Sequence, residues 1–273
     1  HPESLMLPRP LAADLLRMNP RSPAYLARLA SWTRGQSATV EGLYVSPIHE
    51  GAIEYVDDVV RDLVSSYPVD GVHFDYIRYP GSAFDYSRGA LDAFKKDLDR
   101  RLPKDERKAF DRAFARDPVA ATDTRPEEWQ TFRRVRLSGL LRRLRATVKA
   151  ARPEALMSAA VVPDDAVAVG TRGQDWPEWL RQGLLDVLCP MVYTTDGPTF
   201  SAQVVRARAL ASGARLWAGI GAYRLSSEQT VAHIDSARAG GADGVVLFSY
   251  DSLVLPSRGP EYLTRLADVA FSR

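Results

Sequence analysis

From Glu50 onward, apolar stripes at helical spacing alternate with short apolar runs flanked by turn residues. Ile53, Val56, Val60, Leu63 and Val64 form the first stripe, with Glu54, Asp57, Asp58 and Arg61 between them. The spacing predicts a helix there. Tyr67-Pro68 ends it, because the residue before a proline disfavours helical backbone. Val69 to Asp75 then reads as a buried strand. Residues 90 to 116 read as helix divided at Pro103, and Glu127 to Ala151 as one long helix. Four strand–helix pairs follow. The strands are Ala155 to Val162, Leu185 to Tyr193, Arg215 to Ala222 and Gly244 to Tyr250. A short helix at Trp176 to Gln182 follows the first of them, and Ser201 to Ala211, Ser227 to Ala239 and Pro260 to Phe271 follow the others. The first fifty residues are broken by Pro8, Pro10, Pro20 and Pro23. They predict short helices at Leu11 to Met18 and Pro23 to Trp32, and a brief extended piece at Gly42 to Pro47.

Strands alternating with helices imply a parallel sheet with helices outside it. Three strands also open alike, as Val69-Asp70-Gly71-Val72, Leu185-Asp186-Val187-Leu188 and Ala242-Asp243-Gly244-Val245. The repeat fits a fold assembled from βα units. Its aspartates fall at the N-terminal ends of strands, the stability face of a βα barrel, so they read as structural. The predicted class is therefore α/β, a TIM (β/α)8-type barrel. A closed barrel needs eight strands, and the pattern supplies five. The expectation is one partial barrel domain over residues 1–273, with 1–50 an irregular opening segment.

Composition narrows the picture only slightly. Apolar residues make up 45% of the chain, enough for a large core. With 36 basic and 34 acidic residues the net charge is +2, which gives little reason to expect a nucleic-acid partner. Cys189 is the single cysteine, so no internal disulfide forms, and no Cys/His cluster has zinc spacing. No apolar run reaches the ~18–20 residues of a membrane span. The chain opens at His1 without a signal-peptide pattern, so its N-terminus reads as processed or truncated. The basic run Arg133, Arg134, Arg136, Arg142, Arg143 and Arg145 lies on the long helix and reads as a solvated outer face.

Candidate chemistry concentrates at the end of the first strand. Side chains alternate between strand faces. Val72 and Phe74 share the face suited to packing under helices, and Gly71, His73 and Asp75 share the face pointing into the barrel. Asp75 comes last, at the C-terminal strand end where active sites of this architecture gather. Tyr76, Arg78 and Tyr79 follow it, and Pro80-Gly81 turns the chain away. Aromatic faces that stack on pyranose rings, an arginine and a carboxylate together suit a sugar site. An Arg78 ion pair that merely braces the loop is the competing reading of Asp75. His73 reads equally well as a group that tunes Asp75 and as a satisfied core histidine.

The run Tyr67-Pro-Val-Asp-Gly-Val-His-Phe-Asp-Tyr-Ile-Arg-Tyr-Pro80 resembles a bacterial family of glycoside-hydrolase-like TIM barrels, the glycosyl hydrolase-like 10 group, which includes peptidoglycan-processing glycosidases. Gln174-Asp175-Trp176 with Trp179, Leu185 to Tyr193, Gly219-Ile220-Gly221-Ala222-Tyr223 and Gly241 to Tyr250 match it in the same order. The resemblance implies that Val69 to Asp75 is the fourth barrel strand, that strands four to eight are present and that strands one to three are missing. It also implies that Asp75 is a nucleophile or charge stabiliser, and it gives an extracytoplasmic location. Glycoside hydrolysis uses two carboxylates. Asp164, Asp165, Asp196 and Asp251 follow strands, and Asp164 ranks first as partner acid because strand five often carries it. Tyr193, Tyr223 and Tyr250 end strands and read as sugar-binding residues or as rim packing. Trp176, Trp179 and Cys189 read as core.

The resulting expectation is a glycosidase acting on a bacterial cell-wall or exopolysaccharide glycan, with a polysaccharide or oligosaccharide as partner and no required cofactor or metal. A non-catalytic carbohydrate-binding barrel is the alternative. Metal-assisted hydrolysis on His73 and Asp75 is a third reading and needs a further ligand that the sequence does not reveal.

Overall fold

The structure, a computed structural model, describes residues 1–211, 213–254 and 261–271. Helices α1 (Arg9–Leu15), α2 (Pro23–Gly35) and α3 (Glu50–Ser66) precede strand β1 (Gly71–Phe74). Then come α4 (Arg88–Arg101), α5 (Lys104–Arg116), α6 (Pro118–Ala121) and the long α7 (Pro126–Ala151). The rest alternates: β2 (Leu156–Val161), α8 (Asp165–Arg172), α9 (Trp176–Arg181), β3 (Val187–Val192), α10 (Gly197–Leu210), β4 (Arg215–Ile220), α11 (Ser227–Ala239), β5 (Gly244–Leu247), α12 (Tyr250–Leu253) and α13 (Glu261–Leu266). A π-helical turn, Ala267–Phe271, closes the described chain. Pro260, the expected start of the last helix, lies outside the described residues. The expected extended piece near Gly42 is reduced to one antiparallel bridge, Leu5 to Val45.

Local chemistry sets these boundaries. Ser22 and Ser87 cap α2 and α4 by accepting the Tyr25 and Ala90 N–H groups. The His49 ring does the same for α3, accepting from the Ala52 N–H at 3.2 Å. Ser226 and Gln229 form a capping box on α11. Helix α10 begins at Gly197, earlier than the apolar pattern indicates, because Asp196 accepts the Thr199 N–H at 2.8 Å and Pro198 suits the first turn.

The chain forms two compact units. The first comprises residues His1–Pro68, Arg78–Arg152 and Val169–Gln174. Tyr86, Phe94, Phe110, Trp129 and Phe132 make an aromatic core there, with ring centroids about 5–6 Å apart. Helices α3 and α7 pack together in this unit, and two charged residues leave the surface. Asp57, expected on the solvent side of its helix, is 3% exposed and binds Arg61, Arg143 and the Thr147 hydroxyl. Arg133, expected on a solvated face, is 5% exposed between the rings of Tyr79 and Trp129. The i, i+4 geometry of α7 places Arg133 one turn after Trp129, on the buried stripe.

The second unit comprises Val69–Ile77, Pro153–Ala168 and Asp175–Arg273. Its centre is a curled, five-stranded parallel sheet in the order β1-β2-β3-β4-β5, a half-barrel of the α/β type. Helices α10 and α11 cover one face. On that face Val72, Met157, Ala159, Val161, Leu188, Val192, Leu216, Ala218 and Ile220 are all buried. Two of the three strand-opening aspartates, Asp186 and Asp243, act as staples. The Asp186 carboxylate accepts the Met157 N–H at 2.8 Å while its own N–H donates to the Met157 carbonyl. Asp243 repeats the pattern on Leu216. Each thus extends the ladder at the N-terminal end of the strand before it. Trp176 and Trp179 of α9 are fully buried, and Trp176 Nε1 donates to the Val162 carbonyl just past β2 at 3.0 Å.

Candidate functional site

Register places His73 of β1 beside Ser158 of β2, and registered partners in a parallel pair project to one face. The same parity collects Gly71, His73, Ser158, Ala160, Cys189, Met191, Trp217, Gly219, Val246 and Phe248 on the sheet face opposite α10 and α11. This face is not uniformly closed: His73 is exposed and Phe248 is 46% exposed. Cys189 is buried there, and burial pushes its thiol up to about 12.

Asp75 continues the parity one step past β1 and is exposed at the C-terminal strand end. Its Oδ1 accepts the Tyr76 N–H at 2.6 Å. Tyr76 takes φ 55°, in the left-handed region that non-glycine residues rarely occupy, and is 50% exposed. Strain of this kind costs about 1–3 kcal/mol and concentrates at functional sites. His73 Nδ1 lies 2.9 Å from Ser158 Oγ. Although the residue is exposed overall, partial withdrawal of its ring from water lowers the His73 pKa, and the Asp75 charge opposes that more weakly. The imidazole is therefore biased toward its neutral form, able to exchange a hydrogen bond with Ser158.

Three rings cluster past the ends of β3, β4 and β5. Tyr193 and Phe248 stack at 5.3 Å with an 11° interplanar angle, and Tyr223 meets both edge-on, at 6.3 and 6.1 Å. Gly221 makes room for them, since a Cβ there would lie 3.0 Å from the Tyr193 Cβ. Arg224 donates to the Tyr193 carbonyl at 2.9 Å and fixes the turn. Tyr223 stands on a 3-10 turn, Ala222–Arg224, because β4 ends at Ile220. Tyr250, expected at a strand end, instead opens α12 and is 71% exposed. Strand parity points instead to Phe248, two residues after Val246, and Phe248 stacks on Tyr193. Ser158 carried no sequence signal, because only strand register brings it to His73.

The acidic residues after the strands are mostly engaged locally. Asp164 accepts the Val167 N–H at 2.9 Å at the start of α8. Asp165 pairs with Arg206 at 2.9 Å, and that hydrogen bond holds its pKa below the usual carboxylate value. Asp196 caps α10, and its bonds to Thr199 lower its pKa in the same way. Asp75 and Asp164 both follow the C-terminal ends of adjacent strands.

Arg78 and Tyr79 belong to the first unit. Arg78 is 7% exposed and lies 3.4 Å from Glu41. For Glu41, burial acts upward on the pKa. A backbone hydrogen bond, the Tyr44 hydroxyl and the charges of Arg78 and Arg172 outweigh it and bring the pKa down. Tyr79 corrects the sequence reading. At 1% exposure it presents no face to a sugar, because its ring fills the space against Gly173 and its hydroxyl donates to the Arg133 carbonyl at 3.1 Å. Among the described residues, no three His, Cys, Asp or Glu side chains converge as a metal site. No described helix is long and apolar enough to cross a membrane.

A search of curated proteins found no match. The family model described as glycosyl hydrolase-like 10 matches residues 10–231, a span that holds nearly all of α1, then α2 to α10, β1 to β4 and the start of α11. The chain belongs to the glycosyl hydrolase-like 10 family, and the half-barrel with Asp75 at a C-terminal strand end is its glycoside-hydrolase-like fold.

Proposed function

We propose that this chain carries part of a glycoside hydrolase site for a bacterial cell-wall or exopolysaccharide glycan, in an extracytoplasmic setting. In this reading β1 to β5 are strands four to eight of a (β/α)8 barrel. The observation that carries it is Asp75: an exposed carboxylate at the C-terminal end of a parallel strand, beside a strained tyrosine, in a unit that also bears an exposed aromatic cluster. Asp75 attacks the anomeric carbon or activates a water toward it. A second carboxylic acid protonates the leaving glycosidic oxygen. Asp164 is the proposed partner, with one oxygen holding α8 and the other left for chemistry. His73 orients the Asp75 side of the site through Ser158. Tyr193, Tyr223, Phe248 and Tyr250 supply ring faces for the sugar, and Tyr76 completes the set of substrate contacts. No cofactor is required by this chemistry.

A second reading, a carbohydrate-binding barrel without hydrolysis, draws on the local engagement of Asp164, Asp165 and Asp196. One experiment separates the two. The full-length protein and its Asp75→Asn variant are incubated with purified peptidoglycan glycan strands and with exopolysaccharide, and products are read by mass spectrometry. Cleavage that falls at least a hundredfold in the variant, with binding retained, is the expected result. Undiminished cleavage in Asp75→Asn overturns the assignment of Asp75. Binding without cleavage by the unsubstituted protein selects the second reading.

A further inference from the structure

The first unit contains a cavity of about 300 Å³, and no β-strand contributes to its wall. Arg9, Ser82, Tyr86, Asp123, Trp129 and Arg133 build it. Trp129 and Arg133 are 3% and 5% exposed. One turn of α7 separates them, so both face the same way. Each carries a buried N–H without a hydrogen-bond partner, Trp129 Nε1 and Arg133 Nε.

The two arginines of the wall differ. Arg9 is neutralised: it holds Asp123 through both terminal nitrogens, at 2.7 and 2.5 Å, and reaches the Tyr86 hydroxyl. Arg133 has no anionic hydrogen-bond partner among the described residues, and feels the buried Asp85 carboxyl only through space. Its partners among the described residues are the Ser82 carbonyl at 3.0 Å and the faces of Tyr79 and Trp129, each 5.4 Å from the guanidinium carbon, and none of these is anionic. A buried cation without a hydrogen-bonded counter-ion is costly, and each unmade buried hydrogen bond adds about 1–3 kcal/mol. Both deficits fall on one wall of one cavity, whose size is at the lower end for small-ligand sites.

We propose that this cavity binds a small oxyanion, a carboxylate or phosphate group, on the Arg133 guanidinium and the Trp129 indole N–H. Such a ligand is an acceptor at every oxygen, so one group satisfies both donors and supplies the missing charge. A neutral hydroxyl satisfies the donors and leaves the charge. Asp123 opposes an anion little, because Arg9 already holds both of its oxygens, and burial raises the pKa of Asp85, whose Oδ1 already accepts the Leu7 and Ser87 N–H groups.

Indole 15N–1H spectra test this directly. The chain has five tryptophans, and Trp129→Phe assigns the cross-peak of Trp129 by its loss. Sodium acetate and inorganic phosphate are titrated separately at ionic strength held constant with chloride. The expected result is a saturable downfield movement of the Trp129 peak, with affinity at least tenfold weaker in Arg133→Met. Response to acetate alone identifies a carboxylate ligand, response to phosphate alone a phosphate ligand, and either supports the site. No saturable movement, an equal response to glucose, or an unchanged affinity in a folded Arg133→Met overturns it. If Arg133→Met does not fold, calorimetry on Trp129→Phe decides: acetate and phosphate affinity equal to that of the unsubstituted protein overturns the proposal, and weakened affinity for the responding anion sustains it.

Discussion

Replacing Asp186 with alanine removes a carboxylate whose structural job is specific: it accepts the Met157 N–H at 2.8 Å, one residue before the first registered pair of the β2–β3 ladder, Ser158 with Val187. Met157 is 0% exposed, so its N–H gains no full solvent replacement. A hydrogen bond to a charged group contributes about 1.5–3 kcal/mol, and an orphaned buried N–H costs about 1–3 kcal/mol. Asp186 itself is half-buried, which lets some water reach the gap and favours the lower part of the range. The expected loss is about 2 kcal/mol, or roughly 4–8 °C in Tm at about 2–4 °C per kcal/mol for chains of this order of length. Asp186→Asn keeps an acceptor and loses less than about 1 kcal/mol. Urea unfolding followed by circular dichroism measures the totals, and hydrogen exchange at the Met157 amide reads the bond itself. Under the proposed function, glycan cleavage per folded molecule stays unchanged, since Asp186 is at the strand end opposite Asp75. The reasoning fails if Asp186→Ala lies within about 0.5 kcal/mol of the parent, the range of ordinary surface changes, or if Asn costs as much as Ala.

Three further outcomes follow from the second unit. Phe248→Ala removes a ring that is 46% exposed; covering that remaining half is worth about 1 kcal/mol, given about 1.5–3 kcal/mol for a whole Phe side chain. Binding of soluble glycan fragments should weaken about fivefold in an isothermal titration, and unchanged affinity would remove Phe248 from the proposed sugar site. His73 titrates below the ordinary histidine value because burial outweighs Asp75. The unfolded chain therefore takes up that proton first, and the contribution of His73 to stability is present above the ordinary value and lost as pH falls below it. NMR titration of the His73 ring should show this low midpoint, moving lower still in Asp75→Asn; a midpoint that does not move means that the two groups do not interact. Cys189, with its thiol pushed up to about 12, should resist iodoacetamide at pH 8 until urea unfolds the sheet. Labelling in native buffer would contradict its burial.

Alternating period was enough to reveal β1 to β5 and the order of most helices, because a buried parallel strand and an amphipathic helix each impose their own spacing on one chain. Asp75 was legible for the same reason: parity and position at a strand end are properties of sequence. The strand-opening aspartates were read as structural from their position alone, and the tertiary structure supplied the bond, Asp186 to Met157 and Asp243 to Leu216. What the sequence could not contain was register and burial across distant segments. Ser158 meets His73 only because β1 and β2 pair at that offset. Tyr79 looks like a sugar-stacking residue beside Asp75 in sequence, yet packing against Gly173 and Arg133 commits it to the core. Arg133 looks like one of six solvated arginines, and helix phase turns it inward against Trp129. The side-chain period is local and travels with the chain; the partner across a cavity or a strand is set by the fold, which alone decides whether a polar group meets water, a carbonyl or nothing.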